Sequence, residues 1–278
     1  MYTTIIQAET LKQALPNANW LILDCRFLLA DTSYGEKAYA QGHIPSAFYL
    51  HLDHDLSSPI TPTTGRHPLP DVVKLTAKLQ GLGLNAHTQV VVYDDSNGTM
   101  AGRAWWLLRW LGHNAVALLD GGYPAWLQQN GDVQTITPAL PQAGDFQARL
   151  QTTFTVEADD LLNNPALQVI DARAAERYRG EVEPTDPIAG RIPNAINRPL
   201  TDNLHNGVFK SPAQLRHEWQ AIIGEHDLTT LVHSCGSGVT ACHNQLAMEI
   251  AGLTGSKLYA GSWSEWIRDP KRPIERGC

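Results

Sequence analysis

The chain of 278 residues lacks a lysine- or arginine-rich run, lacks a paired-cysteine pattern and lacks any apolar stretch long enough to cross a bilayer. Each absence removes a class of function. A formal net charge of −7 without a basic cluster argues against nucleic acid or an anionic membrane as the main partner, so any bound anion must be met by local cations. The four cysteines, at positions 25, 235, 242 and 278, form neither a CxxC pair nor a disulfide framework, as expected in a reducing compartment. The amino terminus, Met1-Tyr-Thr-Thr-Ile-Ile-Gln-Ala-Glu, has no basic segment followed by an apolar one, and a cytoplasmic protein is expected. His51-Leu-Asp-His54-Asp55 is the one metal-like cluster, but no second cluster completes a ligand shell, so no metal or other cofactor is expected.

What is present is a duplication. Trp20-Leu-Ile-Leu-Asp24-Cys-Arg26 echoes Gln168-Val-Ile-Asp171-Ala-Arg173, and Gly42-His-Ile-Pro-Ser-Ala47 echoes Gly190-Arg-Ile-Pro-Asn-Ala195. In the same order, Val90-Val-Val-Tyr-Asp-Asp95-Ser-Asn-Gly98 matches Leu231-Val-His-Ser-Cys235-Gly-Ser-Gly238, and Asp120-Gly-Gly-Tyr-Pro-Ala-Trp126 matches Ala260-Gly-Ser-Trp-Ser-Glu-Trp266. Ordered echoes of this kind mark a repeated domain. The Pro- and Gly-punctuated stretch 131–153 separates the copies, giving domains over 1–137 and 153–278 with a linker at 138–152. Within each copy, short branched apolar runs alternate with amphipathic stretches, which predicts an α/β fold: a mostly parallel sheet flanked by helices. Helices are expected over 71–79, 103–111, 212–223 and 239–251, and strands over 90–93 and 115–119.

The chemistry concentrates at Cys235. The strand before it runs into Gly236-Ser237-Gly238-Val239-Thr240 and then into a helix, so the loop's N–H groups and the helix's positive end face the sulfur. Such a loop favours a thiolate and cradles an anion. Ligands of parallel sheets gather at the carboxyl ends of strands, where Cys235 and its counterpart in the first copy fall. Asp171 with Arg173, repeated as Asp24 with Arg26, reads as an ion pair fixing a strand end. Cys242 lies about two helical turns past Cys235 and reads as core, as do Trp105 and Trp106.

Together with Arg103-Ala-Trp-Trp106, Arg177-Tyr-Arg-Gly180 and Tyr259-Ala-Gly-Ser-Trp-Ser-Glu-Trp266, these motifs resemble, along nearly the whole chain, tandem-domain rhodanese-type sulfurtransferases that use thiosulfate or 3-mercaptopyruvate. The resemblance implies two rhodanese-like domains, the first without a catalytic cysteine and with Asp95 in its place. It implies that Cys235 takes sulfur from a small anionic donor as a persulfide and passes it to a thiol, cyanide or a thioredoxin-like acceptor. Arg177 matches the family's substrate-binding arginine, and residues 236–240 match its binding loop. Gly236-Ser237-Gly238 is the mercaptopyruvate form of that loop. The second arginine such members carry about nine residues past the first is absent, since Glu183-Pro-Thr-Asp186-Pro stands there, and Arg179 is the candidate substitute, unless a bend turns it to solvent. The resemblance also points to a proton relay, with Ser237 matching its serine and His43 its histidine, although His43 serves equally as a support of the turn at Ile44-Pro45. Two rival classes remain: a non-catalytic rhodanese-like scaffold, and a cysteine phosphatase, which needs an arginine six positions past the cysteine where this chain has Ala241. A monomer is the expected state.

Overall fold

The computed structural model describes residues 1–15 and 20–277 and divides the chain into two compact units. Cys278 therefore lies outside the described residues. Unit one comprises Met1–Ser58 and Leu69–Gln151; unit two comprises Pro59–Pro68 and the chain from Thr152 onward.

In unit one the order is β1 (Ile5–Ile6), α1 (Ala8–Ala14), β2 (Leu21–Asp24), α2 (Tyr34–Gln41), β3 (Ala47–Tyr49), α3 (Val72–Gly81), β4 (Val90–Tyr93), α4 (Ala101–Trp110), β5 (Val116–Leu119) and α5 (Gly122–Gln128). Its strands form one parallel sheet in the order β1-β5-β4-β2-β3. Unit two runs α6 (Ala158–Asn163), β6 (Gln168–Asp171), α7 (Ala175–Tyr178), β7 (Ile196–Asn197), the antiparallel hairpin β8 (Leu204–His205) and β9 (Val208–Phe209), α8 (Pro212–Ile223), β10 (Leu231–Ser234), α9 (Ala241–Ile250), β11 (Lys257–Leu258) and α10 (Ser262–Trp266). Its main sheet is again parallel, ordered β11-β10-β6-β7. With β6, β7, β10 and β11 in the roles of β2, β3, β4 and β5, the order of these four strands coincides, as the sequence echoes require, while β1 has no counterpart strand among the described residues of unit two.

Physical chemistry accounts for these elements directly. Residues Val90 to Tyr93 are all fully buried, because a parallel strand covered on both faces has no wet side and reads as a continuous apolar run. Helix α8 starts where Ser211 accepts the Gln214 N–H and Pro212 occupies the first turn, and it buries Leu215, Trp219 and Ile223 on one face. Each strand end is fixed by the repeated ion pair. Arg26 Nη2 reaches Asp24 at 2.6 Å and the Gly42 carbonyl at 2.7 Å; Arg173 Nη2 reaches Asp171 at 2.7 Å and the Gly190 carbonyl at 2.8 Å.

Two boundaries differ from the sequence reading. The segment expected as a linker packs on unit one: Gly144 N–H donates to Gln80 O, Phe146 N–H to Leu84 O and Arg149 N–H to Leu111 O, and the Phe146 ring is buried. Residues 59–68, expected inside the first domain, belong to unit two. No helix among the described residues is long and apolar enough to cross a membrane.

His233 on β10 is completely buried, with Nε2 3.2 Å from Ser256 Oγ, and burial pushes its imidazole down to about 3. An unfolded histidine near 6.5 binds a proton over a range in which the folded one stays neutral. The folded value is depressed, so this contribution is fully present above about pH 6.5 and is lost as pH falls toward 3, by up to about 1.4 kcal/mol per pH unit. Denaturant unfolding between pH 7 and 5 is expected to show that slope, and a His233→Leu variant to flatten it; identical slopes would contradict this account.

Candidate active site

Cys235 follows the last residue of β10 directly, and three sets of bonds shape the loop after it. The Gly238 N–H donates to Cys235 Sγ at 3.1 Å, and the carbonyls of Cys235 and Gly236 accept from Trp263 N–H (3.0 Å) and Ser264 N–H (2.9 Å) of α10. Ser262, at φ 51°, holds an uncommon left-handed backbone for a residue with a side chain. Its Oγ accepts the Cys235 N–H at 3.1 Å and lies 4.0 Å from Sγ. Gly238 is at φ 74°, and a Cβ there would collide with the Ala260 carbonyl, so this position requires glycine on two counts. Thr240 is the residue just before α9, which begins at Ala241, two residues later than the sequence reading placed it.

The first copy shows what such a loop accommodates. After β4 the residue in register with Cys235 is Asp94, not Asp95: β4 and β10 are both four residues long, and the Asp94 carbonyl accepts from Tyr123 N–H at 2.8 Å as the Cys235 carbonyl does from Trp263. The Asp94 carboxylate takes four N–H donors, Ser96 and Gly98 on Oδ1 (both 2.9 Å) and Met100 and Ala101 on Oδ2 (2.7 and 2.8 Å). Burial pushes this carboxyl up from its ordinary value, and the four amides oppose that shift. Asp95 instead accepts the Tyr34 hydroxyl at 2.5 Å. The loop of the first copy is one residue longer, which is what displaced the sequence alignment.

Around Cys235 the charges are arranged in pairs. Arg173 sits on Asp171 and also reaches Glu183 at 3.4 Å; burial lowers its pKa, but Asp171, Glu183 and Cys235 more than offset this and hold it above its ordinary value. Arg177 on α7 binds Glu183 at 2.6 Å and lies 3.6 Å from Asp186. Burial raises Glu183, but the Arg177 bond and the N–H groups of Asp186 and Thr185 outweigh it, so Glu183 stays below its ordinary value and ionised. A second guanidinium, that of Arg66, pairs with Asp186. A Cβ at Gly236 would lie 2.9 Å from Arg66 Nη2 and 3.6 and 3.8 Å from Arg177 Nη2 and Nη1, so both cations converge above the loop.

Beside them, His67 Nδ1 lies 2.7 Å from Ser237 Oγ, with both residues buried. This corrects the assignment of His43. That side chain is fully buried in unit one, stacked at 3.9 Å on Tyr39, with Nδ1 on the Tyr39 carbonyl at 2.8 Å, and its main chain pairs with Gln134. It supports its turn and has no surface to offer a substrate. Arg179 is likewise corrected: it points outward, held by the exposed Glu181 at 2.7 and 2.9 Å. The residues that sequence reasoning missed, Arg66 and His67, lie in an aperiodic stretch about 170 positions before the loop. The available signal was a cation next to a histidine, framed by Pro59, Pro62, Gly65 and Pro68.

Cys25 gives the contrast for reactivity. Burial, then Asp24, Asp94 and Asp55, push its thiol well up, whereas Cys235 has an N–H aimed at its sulfur. In the native protein near neutral pH, iodoacetamide is expected to label Cys235 at least about tenfold faster than Cys25. Peptide mapping over a time course checks this, and equal rates would remove the cradle's chemical role.

A profile of the rhodanese-like domain matches residues 7–129 and 155–269. A Pseudomonas aeruginosa protein described as "Probable 3-mercaptopyruvate sulfurtransferase" is 47% identical over 279 residues, covering 98% of both chains. The thiosulfate sulfurtransferase of Mus musculus is 32% identical over 284 residues, covering 97% of this chain and 93% of its own. Among solved structures, the 3-mercaptopyruvate sulfurtransferase from Leishmania major superimposes with a TM-score of 0.85 at 30% identity, over 95% of this chain and 74% of that one.

Proposed function

The chain belongs to the rhodanese family and is a sulfurtransferase, and from that premise we propose that it takes sulfur from 3-mercaptopyruvate onto Cys235. The observation that carries this reading is the His67–Ser237 hydrogen bond at 2.7 Å beside the cysteine loop. 3-Mercaptopyruvate brings a thiol proton that must leave its sulfur and reach the departing carbon, whereas thiosulfate brings none. A serine hydroxyl paired with an imidazole is a device for moving that proton.

The proposed step balances as follows. The Cys235 thiolate attacks the donor sulfur, forming an S–S bond as the S–CH2 bond breaks and its electron pair leaves with pyruvate enolate. Ser237, backed by His67, takes the donor's thiol proton and returns it to the methylene carbon, giving pyruvate and a Cys235 persulfide anion. The extra charge on the outer sulfur falls within the Gly236–Thr240 loop, whose first-copy counterpart accommodates a buried carboxylate on four N–H groups. A thiol, cyanide or a thioredoxin-like acceptor then removes the outer sulfur and regenerates the thiolate.

Charge balance supports the same donor. Arg66, Arg173 and Arg177 are matched by Asp171, Glu183 and Asp186, and residues 236–240 carry no charge, so the site suits a monoanion better than a dianion. The free thiols of Cys25, Cys235 and Cys242 agree with a cytoplasmic setting, and a monomer is the state we infer.

Pyruvate release from 3-mercaptopyruvate and sulfite release from thiosulfate, followed in parallel, test the reading. The first is expected to have the higher kcat/KM, and His67→Gln or Ser237→Ala to lower it about a hundredfold. A preference for thiosulfate, or mercaptopyruvate turnover indifferent to both substitutions, would overturn it.

A further inference from the structure

Residues 181–189 form an arm between α7 and β7 that has no regular secondary structure and carries two carboxylates of the charge cluster. Glu183 binds Arg177 at 2.6 Å and reaches Arg173 at 3.4 Å, and Asp186 pairs with Arg66. The place of these guanidiniums over the cysteine loop therefore follows the place of the arm. A segment without a ladder of its own keeps its course only through what holds it.

The neck of the arm is closed by a strap. A Cβ on Gly180 would stand 3.1 Å from Gly190 Cα, so the two ends of the arm lie against each other, and residues 275–277 bind on either side of them. Arg191 and Glu275 exchange main-chain bonds of 2.9 and 3.1 Å, the Gly277 N–H donates to the Arg179 carbonyl at 2.9 Å, and Arg276 Nε donates to the Ala189 carbonyl at 3.0 Å. On the outgoing side, the N–H groups of Glu181 and Val182 turn back to the Glu176 carbonyl at 3.0 and 3.4 Å. On the returning side, the Ile188 carbonyl accepts from the indole Nε1 of Trp263 at 2.8 Å.

Trp263 has a second bond of a different kind. Its main-chain N–H donates to the Cys235 carbonyl at 3.0 Å, and its ring centroid lies 5.1 Å from the Arg173 guanidinium carbon. The ring is buried in the core cluster of Val169, Ile192, Tyr259 and Trp266, against which Ile188 also packs. One rigid residue thus spans from the cysteine loop to the arm, and a buried indole donor makes the tie directional.

We propose that Trp263 is the positioning residue that registers the arm 181–189 against the cysteine loop, with the strap 275–277 as the clasp at the arm's base, so that donor binding depends on the bond between Trp263 and Ile188. The link to donor binding rests on the reading given above; the anchoring of the arm does not.

Trp263→Phe keeps the main-chain bond to Cys235 and an aromatic ring but removes the indole N–H. Hydrogen exchange on the full chain, followed by peptide mass spectrometry, reads the arm with no donor present. Exchange in 181–189 is expected to rise about tenfold, while the peptide over α9 and the iodoacetamide rate at Cys235 each stay within about twofold. The KM for 3-mercaptopyruvate is expected to rise about tenfold, with kcat falling by no more than about threefold. Exchange that rises equally in the arm and in α9 would reduce Trp263 to general core packing and overturn the proposal, as would an unchanged arm, or a loosened arm with KM unmoved. Should Trp263→Phe fail to fold, Arg276→Leu, at an exposed position, decides by the same criterion with shifts of the same sign, about threefold. If the unaltered chain does not turn over 3-mercaptopyruvate, the donor reading alone falls and the KM for thiosulfate takes its place in the comparison; an unchanged arm in a chain that does turn it over overturns the proposal and leaves the reading standing.

Discussion

The constraint on which the site depends is the accommodation of a negative charge at the carboxyl end of a buried central strand. Both copies of the domain deliver a residue to that point, directly after β4 or β10, and both pin its carbonyl with an N–H from the start of a later helix. In unit one an aspartate occupies it and takes four main-chain N–H donors. In unit two a cysteine occupies it, with the Gly238 N–H on its sulfur. The same backbone solution therefore serves a buried aspartate in one copy and a cysteine in the other, and on the proposed function the change from carboxyl to thiol separates scaffold from catalyst.

A second layer follows from the first. A loop that favours an anion must also admit an anionic donor, and a protein of net charge −7 supplies the cations locally. It does so with arginines, each paired with a buried carboxylate, which on the proposed function fixes their positions before a donor arrives. The cluster is formally neutral, and on the proposed function that suits a monoanionic donor better than a dianionic one.

The repeated topology, the strand-loop-helix around Cys235 and the Asp–Arg pairs were legible in the sequence because each is local: a run of branched residues, a glycine spacing, a pair two positions apart. What escaped was non-local or depended on register. Arg66 and His67 reach the loop from about 170 residues away along a stretch with no periodicity, and nothing in their neighbours announces a fold partner. Of the two readings left open for His43, relay and turn support, the contacts match the turn support, while the imidazole beside Ser237 is that of His67, which stands in no motif. Asp95 took the role of Asp94 because the first-copy loop is one residue longer, a difference that only strand pairing resolves. Arg179, two positions past Arg177, lies just beyond the end of the short helix α7, where the chain turns its side chain to the surface.

The account's central claim is that the sulfur moves onto Cys235 and is held there. Intact mass of the reduced chain after incubation with 3-mercaptopyruvate, beside the Cys235→Ser variant, tests it most directly. The expected result is a gain of one sulfur that is reversed by a thiol and is absent from the variant; a gain retained without Cys235, or none in the unaltered chain, would contradict it.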